Sequence, residues 1–335
     1  MKIVRNSPHF NGALDAQTGT RPKIDLSVVI PTHNEEDNVE RAIKSVHQEV
    51  SRLVTRHEII LVDDGSTDDT LSTAKALIAH YPLRVVRLSR NFGKEQAIMA
   101  GLTSSHGSAV VICDADLQEP LHYLEGMLAA HHDGYEMVYT RRDNRADETF
   151  LKRLLTRSFY TMLNVGVETR IPPDARDFRL MDRRVVDALC SLPERNRFMK
   201  GLYGWVGFRS KEILIRLEPR RHGQSKFGTK RLWRLGLTAM TSFTSWPLRV
   251  WTVAGLLFAI VSILYGTWIA VRTMVFGIDV PGWTTLAASI FLLGGVQLFS
   301  IGVLGEYLSR VFAEVKGRPG FIVAEEFGSC AQDLE

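Results

Sequence analysis

The chain has 335 residues, with 41 basic and 37 acidic side chains, a formal net charge of +4 and 45% hydrophobic residues. This length exceeds one minimal module and suits a catalytic domain of ordinary size with an appendage. The three cysteines, Cys113, Cys190 and Cys330, lack metal-ligand spacing, and their odd number argues against a disulfide framework. The basic residues show neither interleaved aromatic platforms nor zinc-finger spacing, so we expect no nucleic-acid partner.

The first 228 residues predict a leader followed by an α/β domain. Residues 1–24 contain no sustained apolar core, which indicates a flexible leader rather than a secretory signal. Residues 25–228 contain the strand candidates LSVVIP, EIILVDDG, LRVVRLS, AVVICDAD and YEMVYT. Helical-period stretches, including residues 36–55 and 70–79, separate them, which predicts a mostly parallel sheet with helices on both faces. Ligands of such a sheet bind at the carboxyl ends of the strands.

Acidic residues follow a buried strand in the stretch VVICDADLQEP, residues 110–120. Asp114 and Asp116 would repel each other unless a cation lies between them. Alternate residues of a strand face the same way, so Gln118 would add a neutral oxygen on that side. Hard oxygen ligands of this kind favour Mg²⁺ or Mn²⁺. The alternative interpretation is a solvated acidic turn.

Other phosphate-binding signatures are missing from the sequence. A dinucleotide-binding unit would place G-x-G-x-x-G after the first strand, yet VVIPTHNEEDN contains no glycine. The pattern G-x-x-x-x-G-K-[ST] is missing too. We therefore expect phosphate to be bound through a cation and basic side chains.

The C-terminal part predicts a two-helix transmembrane hairpin. Two long apolar segments with few charges, 247–272 and 283–308, are each long enough for a hydrocarbon core of about 30 Å. Residues 229–246 mix basic and apolar residues and predict a juxtamembrane amphipathic helix, and residues 309–335 form a tail. The alternative is a buried helical hairpin of a soluble domain.

The charges that flank the two spans predict their orientation. Basic residues cluster before the first span and after the second, whereas the connecting loop offers only Arg272 together with one acidic residue, Asp279. Positive charge marks the cytoplasmic side, so we expect a multi-pass protein whose catalytic domain and both termini are cytoplasmic. Small residues in the second span, including Gly294, Gly295 and Gly302, would permit close helix contacts and are compatible with a homo-oligomer.

An ordered set of motifs resembles a known family. The motifs are VVIPTHNEE, LVDDGSTDDT, LSRNFGKEQAIMAGL, DADLQEP, DFRLMDRRVVDAL and RRHGQSKFG, followed by two spans and GEYLSRV. Together they resemble the polyisoprenyl-phosphate glycosyltransferases of glycosyltransferase family 2, over most of the chain. The resemblance implies a GT-A fold and a metal-dependent, inverting transfer of sugar from a nucleotide sugar, expected to be a UDP-sugar, to undecaprenyl phosphate. It places the reaction at the cytoplasmic face of a bacterial inner membrane, where the product would serve as a lipid-linked sugar donor for cell-envelope glycans or lipid modification.

The resemblance also implies roles for individual residues. The expected nucleotide-sugar ligands are Pro31, His33, Glu35, Asp63, Asp64, Lys94 and Asp114. The expected metal ligands are Asp114, Asp116 and Gln118, and the expected catalytic residues are Asp114, Asp116, Arg141 and Arg153. The acceptor phosphate is assigned to Arg141, Arg153, Arg220, Ser225 and Lys226. Two positions depart from the family pattern: His33 stands where tyrosine is usual, and Arg176 stands where glycine is common.

The expected chemistry explains why the sequence offers no nucleophilic triad. A lipid phosphate is already largely dianionic at neutral pH because its second pKa is about 6, so it needs no general base. Other functions remain open from the sequence alone. A family 2 transferase with a hydroxyl-bearing lipid acceptor would need a carboxylate base, and a membrane-anchored sugar-nucleotide binder would need no chemistry at all. A transporter is a third alternative, but the two predicted spans offer little from which to build a transport path.

Overall fold

A computed structural model of the chain describes residues 24–142, 175–194, 197–216 and 282–328, with individual helical positions between 255 and 276. The strands of these ranges are β1 Leu26–Thr32, β2 His57–Asp63, β3 Leu83–Leu88, β4 Ala109–Ile112, β5 Met137–Arg142, β6 Ala175–Asp182, β7 Ser210–Ile215 and β8 Val323–Phe327. The helices of these ranges are α1 Glu36–Leu53, α2 Thr70–Leu77, α3 Lys94–Ser104, α4 Tyr123–His132, α5 Arg183–Ser191, α6 Met199–Trp205 and α7 Trp283–Val315.

The strands form one mixed sheet in the order β7-β5-β6-β4-β1-β2-β3-β8. The pairs β4–β1, β1–β2, β2–β3 and β5–β7 are parallel, whereas β6 is antiparallel to both β4 and β5, and β8 is antiparallel to β3. The five strands predicted from sequence are β1 to β5, and the first two predicted helices are α1 and α2. The predicted mixed, mostly parallel sheet of the GT-A type is therefore confirmed.

Helices cover both faces of the sheet, and each face has its own apolar core. One core packs α1, α2 and α4 against side chains such as Val28, Ile30 and Leu61. The other packs α3, α5 and α6 against the alternate strand residues, including Val29 and Val62. This division follows from the strand period of two, because near-continuous apolar strands present one set of residues to each face.

The tail contributes a strand that the sequence did not predict. After α7 ends, β8 pairs with β3, and the N–H of Ser89 donates to the carbonyl of Ile322 at 2.9 Å. Phe321 and Val323 pack against the second core, while Glu325 forms an ion pair with Arg87 at 3.3 Å. The predicted tail 309–335 therefore includes the final part of α7 and an edge strand of the sheet.

Removal of β8 is expected to destabilise the α/β domain. A chain that ends at Gly317 would expose the edge of β3 and the core surface that Phe321 and Val323 cover. Loss of two apolar side chains from a core typically costs several kcal/mol, so the melting temperature should fall by roughly 10 °C or more. A chain that ends at Gly328 retains β8 and serves as the control in thermal unfolding of the detergent-solubilised protein. Equal melting temperatures for the two truncations would contradict a structural role for β8.

The described residues include one helix that is long and apolar enough to cross a bilayer. Its span is Leu292–Val315, within α7, and none of its most apolar window is buried by other parts of the protein. The sequence placed this span at 283–308, so the structure extends the helix beyond the predicted end. Described helical positions between 255 and 276 also expose large apolar side chains, including Leu257 and Met274. The predicted leader 1–24, amphipathic helix 229–246 and first span 247–272 lie wholly or largely outside the described residues.

Candidate active site

The carboxyl ends of three parallel strands meet at one rim of the sheet. Thr32 at the end of β1 pairs with Asp63 at the end of β2, and Ile112 at the end of β4 pairs with Val29. Since β6 is antiparallel to β4, its first residues lie at this same rim. The pairing of Arg141 with Ala175 also brings the end of β5 there. The rim is the place where the sequence predicted the ligand site.

Three carboxylates gather in the loop that follows β4. One ligand atom each of Asp114, Asp116 and Glu119 lies within 4.8 Å of the others, so the group could hold a divalent cation. The N–H of Gln118 donates to Asp116 at 3.2 Å, and Leu117 has a φ of 49°, in the left-handed region that glycine favours. A non-glycine residue held in this region is an energetic cost typical of functional loops. The loop therefore folds to present acidic side chains together.

Lys94, the first residue of α3, already places a cation at this cluster. Its ammonium donates to Asp114 and to Asp177, at 2.7 Å in each case. Burial would lower the pKa of Lys94, but the two carboxylates outweigh it and raise that pKa. Burial would likewise raise the pKa of Asp177, yet the ammonium groups of Lys94 and Lys200 hold it well below its usual range. An ammonium bridging two hard oxygen ligands is evidence that the residues suit a bound cation.

Asp63 and Asp64, at the end of β2, bind backbone N–H groups of the loops that follow β2 and β3. Asp64 accepts from the N–H groups of Phe92 and Gly93 at 2.7 and 2.8 Å, and burial nonetheless raises its pKa. Asp63 accepts from the N–H of Ser66 at 3.0 Å through Oδ1. Its Oδ2 is buried and has no hydrogen-bond partner among the described residues. Such an oxygen is costly unless a donor reaches it.

A close contact between these loops requires glycine at position 65. Gly65 has a φ of 64°, and a Cβ there would lie 2.5 Å from the carbonyl carbon of Arg90. The loop after β2 therefore packs directly on the backbone of the loop after β3. This contact keeps the carboxylate of Asp64 in register with the N–H groups that it binds.

The other predicted nucleotide ligands lie beside the same rim. Pro31 is within β1, and His33 and Glu35 connect β1 to α1. Glu35 accepts from the side chain of Asn38 at 2.7 Å, and its own N–H donates to Thr70 at 2.8 Å. These contacts join the starts of α1 and α2. Binding of a nucleotide by these residues stays a prediction.

Behind Lys94 lies a layer of buried polar residues that the sequence reasoning missed. The guanidinium of Arg179 lies 3.4 Å from the ring centroid of Tyr203, and burial lowers its pKa. Burial, reinforced by the Asp177 carboxylate, raises the pKa of Glu95 to about 7. Glu95 also accepts from the N–H of Met199 at 3.0 Å. Asp177 and Arg179 belong to the motif DFRLMDRRVVDAL, which resembles the family pattern, but neither of these two residues had a predicted role. Glu119 directly follows the predicted metal ligand Gln118 and was not itself predicted as a ligand.

Glu95 should make stability depend on pH. Its pKa is raised to about 7, so between roughly pH 4.5 and pH 7 the folded state retains a proton that the unfolded state has lost. Stability therefore falls as pH rises through this window and levels off above it. The fall in the free energy of unfolding across this window should be roughly 1–3 kcal/mol. It should vanish in Glu95→Gln, whose side-chain oxygen can still accept from the N–H of Met199. Melting temperatures of both proteins at pH 5 and pH 8 measure the difference, and parallel pH profiles would contradict the assignment.

The predicted acceptor-phosphate residues are only partly described. Arg141, at the rim end of β5, forms an ion pair with Glu212 of β7 at 3.2 Å. Its expected contact with a phosphate stays a prediction. Arg153, Arg220, Ser225 and Lys226 lie outside the described residues. Arg176, whose position departs from the resembled family, forms an ion pair with Glu119 at 2.7 Å.

Comparisons with known proteins identify the family of the chain. Residues 27–190 match the family described as Glycosyl transferase family 2, and residues 246–311 match the GtrB C-terminal hairpin. An uncharacterized glycosyltransferase of Synechocystis is 44% identical over 309 residues, which cover 91% of this chain and 96% of the relative. A prophage-derived bactoprenol glucosyl transferase of Shigella flexneri is 42% identical over 299 residues, which cover 89% and 97%.

Among solved structures, glucosyl-3-phosphoglycerate synthase from Mycobacterium tuberculosis, in complex with Mn²⁺, UDP and phosphoglyceric acid, is 21% identical. Its TM-score is 0.46, and the match covers 65% of this chain and 77% of that one. The extent and identity of the curated relatives decide the classification. The chain belongs to glycosyltransferase family 2 and is a glycosyltransferase, with a C-terminal segment of the GtrB hairpin type.

Proposed function

We propose that this glycosyltransferase transfers glucose from UDP-glucose to undecaprenyl phosphate at the cytoplasmic face of a bacterial inner membrane, with inversion at the anomeric carbon. The observation that carries the proposal is the rim cluster of Asp114, Asp116 and Lys94, on a chain that also contains an apolar segment of the GtrB hairpin type. The acceptor and the sugar are suggested by relatives named bactoprenol glucosyl transferase, which match about nine-tenths of this chain.

The rim offers the groups that a nucleoside diphosphate sugar needs. Asp114 and Asp116 would hold a divalent cation, Mg²⁺ or Mn²⁺, with Gln118 as a further oxygen ligand. When bound, this cation would neutralise charge on the departing diphosphate. The Oδ2 of Asp63, which has no hydrogen-bond partner among the described residues, could accept from an N–H of the nucleobase. Before a cation binds, Lys94 would hold Asp114 in place through its shared contact with Asp177.

The transfer is a single displacement. An oxygen of the lipid phosphate forms a bond to the anomeric carbon while the bond from that carbon to the diphosphate breaks, and UDP leaves with its electron pair. The dianionic nucleophile carries no proton that a base must remove. Cationic side chains such as Arg141 would offset the repulsion between two anionic substrates and orient them in line.

A transfer assay tests the proposal. The full-length protein in nanodiscs would receive Mg²⁺ or Mn²⁺, undecaprenyl phosphate and radiolabelled UDP- or GDP-sugars in parallel. We expect label in the organic-extractable lipid with UDP-glucose. Transfer only from another donor would revise the sugar, and transfer only to diacylglycerol or ceramide would revise the acceptor. Nucleotide binding without any lipid product would favour a non-catalytic binder.

The stereochemistry of the product gives a separate prediction. A single displacement on an α-linked nucleotide sugar should yield a β-linked lipid product. The one-bond carbon–hydrogen coupling at the anomeric centre of the purified product, measured by NMR, distinguishes the two anomers. An α-linked product would overturn the single-displacement mechanism while leaving the donor and acceptor assignments intact.

A further inference from the structure

The third carboxylate of the rim cluster has a partner of its own. Glu119 is 2% exposed, and its Oε1 accepts from Nε of Arg176 at 2.7 Å. Burial and the neighbouring carboxylate of Asp114 raise the pKa of Glu119, and Arg176 opposes this. The ion pair joins the loop after β4 to the first residues of β6. A carboxylate this buried would be strongly disfavoured without a cation beside it.

The two cations of the cluster are held differently. Lys94 contacts both Asp114 and Asp177, so it can release Asp114 to an incoming cation and keep Asp177. Arg176 lies at the start of a paired strand, where Ala175 pairs with Arg141. The carbonyl of Arg176 accepts from Arg179 at 3.1 Å, which fixes its backbone. Among the carboxylates of the described residues, Arg176 therefore forms an ion pair with Glu119 alone, whereas Lys94 is shared between Asp114 and Asp177.

We propose that Arg176 is a positioning residue that withholds Glu119 from the bound cation, so that the cation depends on the donor diphosphate to complete its coordination. The inference rests on the proposed function. Three free carboxylates would bind a divalent cation tightly without substrate, whereas two carboxylates leave several positions to water and phosphate oxygens. The ion pair thus makes cation binding and nucleotide binding strengthen each other, and the strengthening must be reciprocal.

Binding of Mn²⁺ to the full-length protein, measured by electron paramagnetic resonance with and without UDP, tests this inference. In the wild type we expect weak Mn²⁺ binding that UDP tightens by about tenfold or more. In Arg176→Gln, Glu119 becomes available to the cation. Mn²⁺ alone should then bind about tenfold more tightly, and the further gain from UDP should shrink. Mn²⁺ affinity that is unchanged or reduced in this variant would overturn the proposal.

Two further variants keep the test decisive if Arg176→Gln folds poorly. Glu119→Gln should bind Mn²⁺ within about twofold of the wild type, because Glu119 is not a ligand there, and a loss of tenfold or more would overturn the proposal. The double variant should lose the tightening seen in Arg176→Gln. The matched control is Arg184→Gln. In the wild type, the guanidinium of Arg184 contacts Asp182 and Glu136 at the opposite end of β6.

The outcomes separate this inference from the proposed function. If the wild type does not bind UDP with Mn²⁺ and does not transfer sugar to the lipid, the proposed function itself is refuted. A wild type that binds UDP with Mn²⁺ and transfers sugar, beside an Arg176→Gln variant whose Mn²⁺ affinity does not rise, refutes only the role of Arg176.

Discussion

Replacement of Asp116 by asparagine should lower sugar transfer by about 10³-fold or more. The substitution removes one of the two negative charges proposed to hold the cation, and with it the stabilisation of charge on the departing diphosphate. The fold should persist, because the side-chain oxygen of asparagine can still accept from the N–H of Gln118, which lies 3.2 Å from Asp116 Oδ1. Transfer to undecaprenyl phosphate at saturating donor measures the loss.

Asp133→Asn provides the matched control, since Asp133 is exposed at the end of α4, away from the rim. This variant should keep full activity. Mn²⁺ binding in Asp116→Asn should weaken together with transfer. An Asp116→Asn protein that folds normally and retains more than about a tenth of the activity would remove Asp116 from the reaction.

Replacement of Lys94 by methionine should lower kcat/KM by about 10²-fold. The aliphatic stem is retained, but Asp114 and Asp177 lose the ammonium that both contact at 2.7 Å. Mutual repulsion would then move Asp114 from its position beside Asp116, and Asp177 would tend to take up a proton. The loss should appear in both kcat and the KM for the donor, because the same carboxylate serves cation and nucleotide.

Lys44→Met is the control for this variant, because Lys44 is a half-exposed lysine of α1 that pairs with Glu40. Raised Mn²⁺ concentration should partly restore Lys94→Met, since the added cation would supply beside Asp114 the positive charge that the variant has lost. Activity of Lys94→Met equal to that of Lys44→Met would show that the Lys94 bridge has no part in the reaction.

The sheet was predictable to the extent that its strands are buried on both faces. Strands β1 to β5 include continuous apolar runs, and such runs are unambiguous when turn residues follow them. Strand β8 reads VAEEF, with two glutamates in five residues, so its sequence has the character of a solvated tail. Its stability comes from pairing with β3 and from the packing of Phe321 and Val323 on the core, which local sequence does not reveal.

The candidate site was predictable where one stretch of chain builds it. Asp114 and Asp116 stand out because charge directly follows a buried run, and the structure brings them together as expected. Asp177 and Arg176 join them only because β6 inserts antiparallel beside β4, a pairing between residues about 70 positions apart in sequence. The hydrophobic periodicity of a single segment does not show which distant strand it pairs with. Arg176 was noticed as a departure from the family pattern, but its partner Glu119 required the structure.

Under the proposed function, the tail strand also bears on how the catalytic domain would be attached to the membrane. The segment before the hairpin leaves the sheet at β7, and the segment after it returns as β8, at the opposite edge. Eight strands about 4.8 Å apart separate these two attachments by roughly 34 Å. One tether would let the domain swivel freely, whereas two widely spaced tethers restrict its tilt and rotation. A restricted orientation would raise the effective concentration of lipid phosphate headgroups at the rim, independently of any contact with the lipid chain.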